Sequence, residues 1–172
     1  ATMIKVSPAY ASKLVKQKNE QMRVLLSQER ETATTTACLD EDVTELRKVY
    51  DFAATQRQMD ALNDDIIKLK HAINVFNTTT ELPGLGYTID AALVRMKMLS
   101  SKRDRLANMK RIQPVTRQSV GYGKSQPEYV YRNYDAKDVE AEHKKTEEEL
   151  TSIQLALDKA NLDSTIEVDI EE

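Results

Sequence analysis

Aromatic residues and chain breakers are scarce in this sequence: no tryptophan, two phenylalanines, four glycines and four prolines in 172 residues. An enzyme built from many turns around a thick aromatic core needs more of each, so the composition argues against that architecture. A single cysteine, Cys38, cannot close an intramolecular disulfide and has no CxxC partner for zinc, which points to a reducing compartment. No run approaches the roughly 18 to 20 apolar residues of a membrane span, and the opening ATMIKVSPAY lacks the continuous apolar stretch of a secretory signal. A soluble, cytoplasmic protein with no membrane span is therefore expected.

What the chain does have is charge and helical periodicity. Nearly a third of the residues are charged (31%), the profile of long helices with solvated faces. The net charge of −3 conceals an asymmetry: Arg95 to Lys124 holds nine basic residues and one acid, whereas Asp135 to Glu172 holds thirteen acids and four lysines.

The spacing predicts a first helix over about 7–31, opened by Ser7-Pro8, because serine caps free N–H groups and proline costs nothing at the first helical position. Ala11, Leu14, Val15, Met22, Val24, Leu25 and Leu26 form its broad apolar stripe. TATTTA at 32–37 suits a connection. A second helix is expected over about 40–76 with Asp40 as its N-cap; Leu62, Ile66, Leu69, Ile73 and Phe76 repeat at spacings of four and three, while Leu46, Tyr50 and Ala53 keep that spacing in another phase, as a stutter near 56–59 would produce. After NTTTELPGLGYT, Thr88 caps a third helix over about 88–112, with Ile89, Ala92, Met96, Leu99 and Leu106 in the seam and Arg103 in one apolar slot. Pro114 ends it. A fourth helix over about 135–161 carries Val139, His143, Thr146, Leu150, Ile153, Leu157 and Ala160.

VTRQSV and EYVYRNY flank a turn containing Gly121 and Gly123 and read as a β-hairpin with both glycines at positive φ. Thr165 to Ile170 alternates strictly, the period of a half-buried strand. The expected fold is mainly α: antiparallel helical hairpins in a coiled-coil bundle of about four helices, forming a single elongated domain, with a β element over about 115–134 joined by residues 165–170. Pairing the basic third helix with the acidic fourth would set HKKTEEEL beside SSKRDRL and neutralise much of the charge asymmetry.

The stretches AINVFNTTTELPGLGYTIDAALVRM, YVYRNYDAKDVEAE and IQLALDKANLDSTIEVDI resemble the septicolysin-like family of small bacterial coiled-coil proteins, over about Leu62 to Ile170. The likeness rests on Asn77-Thr78-Thr79, Thr88, Ala91-Ala92-Leu93, Asn161 and Thr165, positions with a structural character. The lysin label implies membrane damage, whereas these helices mix acids and bases in place of one strongly cationic face.

Gly123-Lys124-Ser125 matches the end of a phosphate-binding loop, but Gln118 stands where its first glycine is required and a β-like run follows. Tyr122, Tyr129, Tyr131 and Tyr134 with Arg117, Lys124 and Arg132 could stack and neutralise single-stranded nucleic acid. Packing of Tyr129 and Tyr131 on a helix end is the favoured reading, with Arg117 and Arg132 facing Glu167 or Asp169 if the last strand joins this sheet. Glu140 and His143 reproduce one copy of a di-iron spacing without its second, and His71 stands alone. No catalytic residue, metal site or cofactor is expected. The candidate ligand or partner surface is Arg117, Tyr122, Lys124, Tyr129, Tyr131 and Arg132, with Asn77, Thr78 and Thr79 as a second stretch that could cap a helix or bind a partner. The resulting expectation is a non-enzymatic scaffold or adaptor that self-associates as a homo-oligomer through its seams and meets a protein partner of unidentified kind. Nucleic-acid binding by the Arg/Tyr hairpin and membrane activity are the alternatives.

Overall fold

The computed structural model describes residues 2–119, 121–123 and 126–171. The protein is mainly α-helical, with small antiparallel strand pairs. In chain order the elements are β1 (Met3–Val6), α1 (Pro8–Thr32), α2 (Val43–Leu46), α3 (Phe52–Thr79), α4 (Ile89–Arg111), β2 (Val115–Gln118), β3 (Glu128–Tyr131), α5 (Ala136–Asp163) and β4 (Ile166–Asp169). They fall into two compact units, one made of the residues up to Thr80 together with those from Lys159 onward, the other of Glu81–Asp158.

In the first unit, the Ser7 hydroxyl accepts the Tyr10 N–H at 3.1 Å and opens α1. Lys18 meets Asp65 at 2.9 Å, while further along α1 Glu29 accepts from Gln56 at 2.9 Å, so α1 and α3 run antiparallel. β1 pairs antiparallel with β4, Ile4 opposite Val168 and Lys5 opposite Glu167. One face of this two-stranded sheet lies on the helices: Val6, Val168 and Ile170 share a core with Ala11, Leu14, Val15 and Leu69, and Ile4, Ile66, Ile73 and Ile166 pack against it. Beyond this core, Lys18, Met22, Leu25 and Glu29 continue as a half-buried line of α1, spaced four, three and four residues apart, with no strand above them.

Three expectations need correction here. The helix expected over 40–76 is two helices separated by an extended stretch. Asp42, not Asp40, caps α2 through the Thr44 N–H at 2.9 Å, and Asp51 caps α3 through the Ala54 N–H at 3.0 Å. Residues between the caps are drawn back onto the end of α1, where Lys48 Nζ donates to the Glu31 carbonyl at 2.5 Å and Tyr50 Oη to Glu29 at 2.5 Å. These bonds compete with continued helix, and the change of seam phase marks a break rather than a stutter. At its other end α3 runs past Phe76 to Thr79. Finally, the C-terminal strand does not join the 115–134 hairpin: its partner is β1, which the periodicity of four residues could not announce.

In the second unit, the Thr88 hydroxyl caps α4 by accepting the Ala91 N–H at 3.2 Å. Ile89, Ala92 and Leu106 are buried and Met96, Leu99 and Arg103 half-buried, so the seam read from spacing is the buried line of α4, Arg103 included. On α5, Val139, Thr146, Leu150, Ile153 and Leu157 are buried and His143 half-buried. The buried Thr146 hydroxyl donates to the Glu142 carbonyl at 2.8 Å, which satisfies the fully buried polar group of that line.

Arg95 pairs with Glu149 (Nε–Oε1 2.8 Å) and Lys102 with Glu142 (2.6 Å). Each pair of partners is seven residues from the next on both helices, which fixes an antiparallel arrangement in heptad register. HKKTEEEL consequently lies beside the turn preceding SSKRDRL, one to two turns away from the juxtaposition expected. Hydrogen bonding from Lys102, then its charge, holds the Glu142 carboxyl below the ordinary carboxylate range. Tyr134 Oη donates to the Met109 carbonyl at 2.6 Å and closes the open ends of the pair. From there the chain continues as the β2–β3 hairpin, Val115 opposite Tyr131 and Arg117 opposite Tyr129.

Candidate functional site

Asn77, Thr78 and Thr79 form the last turn of α3. The Thr78 hydroxyl donates to the Asn74 carbonyl at 3.0 Å and the Thr79 hydroxyl to that of Val75 at 2.7 Å. Both bonds run back to carbonyls four residues earlier within the helix, and α3 extends beyond the expected boundary to Thr79, with Thr80 as its C-cap. Asn77 is half-buried beside them. In the second unit the chain turns through Gly84 (φ 79°) and Gly86 (φ 74°), with Leu82 buried and its N–H donating to the Tyr87 carbonyl at 3.0 Å. Positive φ at both glycines suits residues without a Cβ.

The hairpin residues are placed differently from expectation. Every residue of β2 and β3 is exposed. Tyr129 and Tyr131 are 49% and 63% exposed and do not close over a helix end; Tyr134 takes that role. The register sets Arg117, Tyr129 and Tyr131 on one face, with Val115. Tyr122 stands fully exposed at the turn, where Gly123 has φ 91°. Lys124 lies outside the described residues. Arg132 is turned inward, donating to the carbonyls of Tyr134 (3.0 Å) and Ile112 (3.2 Å) and lying over the Tyr134 ring at 5.7 Å. Glu167, one of the two acids expected to face these arginines, pairs instead with Lys5 of β1 at 3.5 Å. The Gly123-Lys124-Ser125 stretch lies between two strands, not between a strand and a helix, so the helix N-terminus that a phosphate loop needs is missing.

His71 is exposed, and His143 Nε2 lies 3.8 Å from Glu147 of its own helix. Among the described residues no three His, Cys, Asp or Glu side chains gather as a metal site requires, and no helix is long and apolar enough to cross a membrane.

The clearest concavity in the first unit lies where α1 and α3 run without strands above them. Val24 and Leu25 of α1 face Ala61 and Leu62 of α3 across a groove of about 520 Å³ whose exposed wall is almost wholly apolar. Val24 is 45% exposed, and its neighbour Leu26 likewise. The charges on the rim are balanced within the chain. Glu20 holds Arg23 one turn on, Nε–Oε2 2.9 Å, and that bond, against a smaller desolvation effect, keeps its carboxyl below the usual range. Asp65 holds Lys18. At the tip of the helical pair, Glu29 accepts from both Tyr50 and Gln56, and the bond to Glu29 raises the Tyr50 phenol above its ordinary value. Spacing alone did not single out this groove, although adjacent Val24, Leu25 and Leu26, too many apolar residues for one seam, were its signal.

No family model matches the chain, and no curated protein matches it. Among solved structures, the chain is similar to a functionally unknown conserved protein from Corynebacterium diphtheriae, at 16% identity and a TM-score of 0.64, covering 95% of this chain and 99% of that one. At that identity the likeness concerns the fold.

Proposed function

We propose that this protein is a non-enzymatic scaffold or adaptor that self-associates through the α1–α3 face. The observation that carries the reading is the open apolar groove formed by Val24, Leu25, Ala61 and Leu62. A second copy is the occupant that fits it. Both partners would supply the same apolar stripe, and a two-fold axis would close two helical pairs into a four-helix coiled-coil bundle. Because Glu20 and Asp65 are each paired inside their own copy, such an approach stacks no unmatched like charges. A cytoplasmic location accords with the exposed, unpaired Cys38.

Sedimentation across a concentration range tests the reading. The wild type is expected to be a dimer or a higher even-numbered assembly, and Val24→Glu, which puts a charge in the groove while leaving the core untouched, is expected to be monomeric at the same concentration. A wild type that stays strictly monomeric at high concentration overturns it.

A second reading, single-stranded nucleic acid stacking on the hairpin, draws support from the exposure of Tyr129 and Tyr131 beside Arg117. Binding of that kind would weaken steeply with salt.

A further inference from the structure

The first unit has a second groove, and its lining identifies it as the vacant edge of a sheet. Ile166, Glu167, Val168 and Asp169 all border it, four consecutive β4 residues whose side chains alternate between faces. Consecutive residues can border one concavity only if it runs along the strand's backbone edge. No β1 residue borders it, so this is the edge of β4 that β1 leaves unpaired. The opposite wall is a single helical stripe: Lys68, His71, Ala72, Val75, Phe76 and Thr79 recur at intervals of three and one along α3. The space is about 510 Å³, and β4's four residues span about 13 Å at the usual rise per residue.

We propose that this edge is a strand-addition site that receives an extended segment of a partner protein, in which apolar residues alternate with lysine or arginine. Ladder hydrogen bonds to the vacant edge of β4 would hold the segment's backbone. Every second side chain would turn onto Ala72, Val75 and Phe76, and those between would stand in the outer row with Glu167 and Asp169. β1, the strand β4 already accepts, has this character: Ile4 and Val6 face the core, and Lys5 in the outer row meets Glu167. Asp169 stands opposite Met3, so β1 supplies it no cation. Lys68 and His71 belong to the helical lip, and neither forms an ion pair with Asp169.

The described strands of a second copy do not fit. Two β4 edges joined antiparallel about Val168 would set Glu167 against Asp169, a like-charge pair directly opposed. A second copy's β1 arrives with its own α1 beneath Val6, in the space that α3 fills under this groove. β2 would turn either Arg117 or Gln118 onto the apolar wall, and β3 would bring Glu128 into the acidic row.

The proposal rests on the adaptor reading, but it uses a different surface, so the two fail separately. The test is fluorescence anisotropy of the full chain with a labelled, blocked seven-residue peptide alternating valine and lysine, compared with the same peptide carrying glutamate for lysine. The lysine peptide is expected to bind at least about tenfold more tightly, and Val75→Asp, at a position 46% exposed and therefore tolerant, is expected to lose at least about tenfold in affinity. Asp169→Lys should narrow the preference between the two peptides. Val24→Glu, in the other groove, should leave peptide affinity unchanged whether or not it alters the assembly. Absence of binding by either peptide, equal binding of both, or undiminished binding to a folded Val75→Asp overturns the proposal. So does a fall in the mass of the wild-type assembly on Val75→Asp, which would make a second copy the occupant.

Discussion

The two strand pairs match in length and direction and differ in everything else. β1–β4 joins segments more than 150 residues apart and turns Val6, Val168 and Ile170 into a core, whereas β2–β3 is a local hairpin exposed on both faces. The units that contain them differ correspondingly. The first is closed by apolar packing of helices under a sheet; the second is a helix pair whose flanks are joined by ion pairs and whose exposed hairpin is tied to the helix pair by bonds at its base. Pairing alone therefore does not make a strand structural. What β4 has and β3 lacks is one apolar face with a helix to put it on.

The contrast is broken most severely at Val168, which is 3% exposed. Val168→Asp buries a carboxylate against Leu69 and Leu14 and is expected to destabilise by about 4 kcal/mol or more, enough to unfold the first unit. Chemical denaturation followed by circular dichroism checks it; a cost below about 1 kcal/mol would mean that the sheet is not part of the core.

The second effect, of intermediate size, lies in the helix pair of the other unit. The Glu142 carboxyl is held below its ordinary value of 4.5 by Lys102. A depressed folded-state value contributes stability that is present above about pH 4.5 and is lost as the pH falls through the folded value. Glu142→Gln should leave a shallower loss of stability on the acid side, with the difference from wild type greatest above pH 5 and vanishing under strong acid. Thermal melts across pH 2 to 7 measure this, and parallel curves would remove the pair's role.

The smallest effect is expected in the hairpin. Tyr131→Ala, at a site 63% exposed, should change stability by no more than about 0.5 kcal/mol. If the nucleic-acid reading holds, the same variant loses low-salt binding of single-stranded DNA in a mobility-shift assay, so stability and binding separate at one residue.

The helical seams were legible in the sequence because burial repeats every three to four residues wherever two helices face each other along their length. In α4 and α5 even the polar members, Arg103 and Thr146, sit on the line that spacing assigned, one by its long aliphatic stem and the other by its bond to Glu142. Two kinds of feature escaped. β1 has four residues, too few for a period to show, and its partner lies at the far end of the chain. The break before Phe52 depends on Lys48 and Tyr50 reaching back to α1, a tertiary bond that local propensity does not contain. For the candidate site, residue types located the polar hairpin and the Thr-rich helix end, but the two grooves exist only where elements distant in sequence come side by side. The exposure of Tyr129 and Tyr131 was misread for the same reason, since the Tyr134 hydroxyl already occupies the helix end that they were expected to cover.

The β1–β4 pairing also sets an order of assembly. The whole second unit is written between the two halves of the first. As the chain is synthesised, α4, α5 and their hairpin can meet as soon as they emerge, while Leu14, Val15 and Leu69 wait for Val168. The 88 residues from Thr80 to Val168, at roughly 5–20 residues per second, make that wait on the order of 4 to 18 s. Throughout that interval α1 and α3 present bare apolar surface to whatever surrounds the ribosome, and the strand that covers it is made only after the whole second unit.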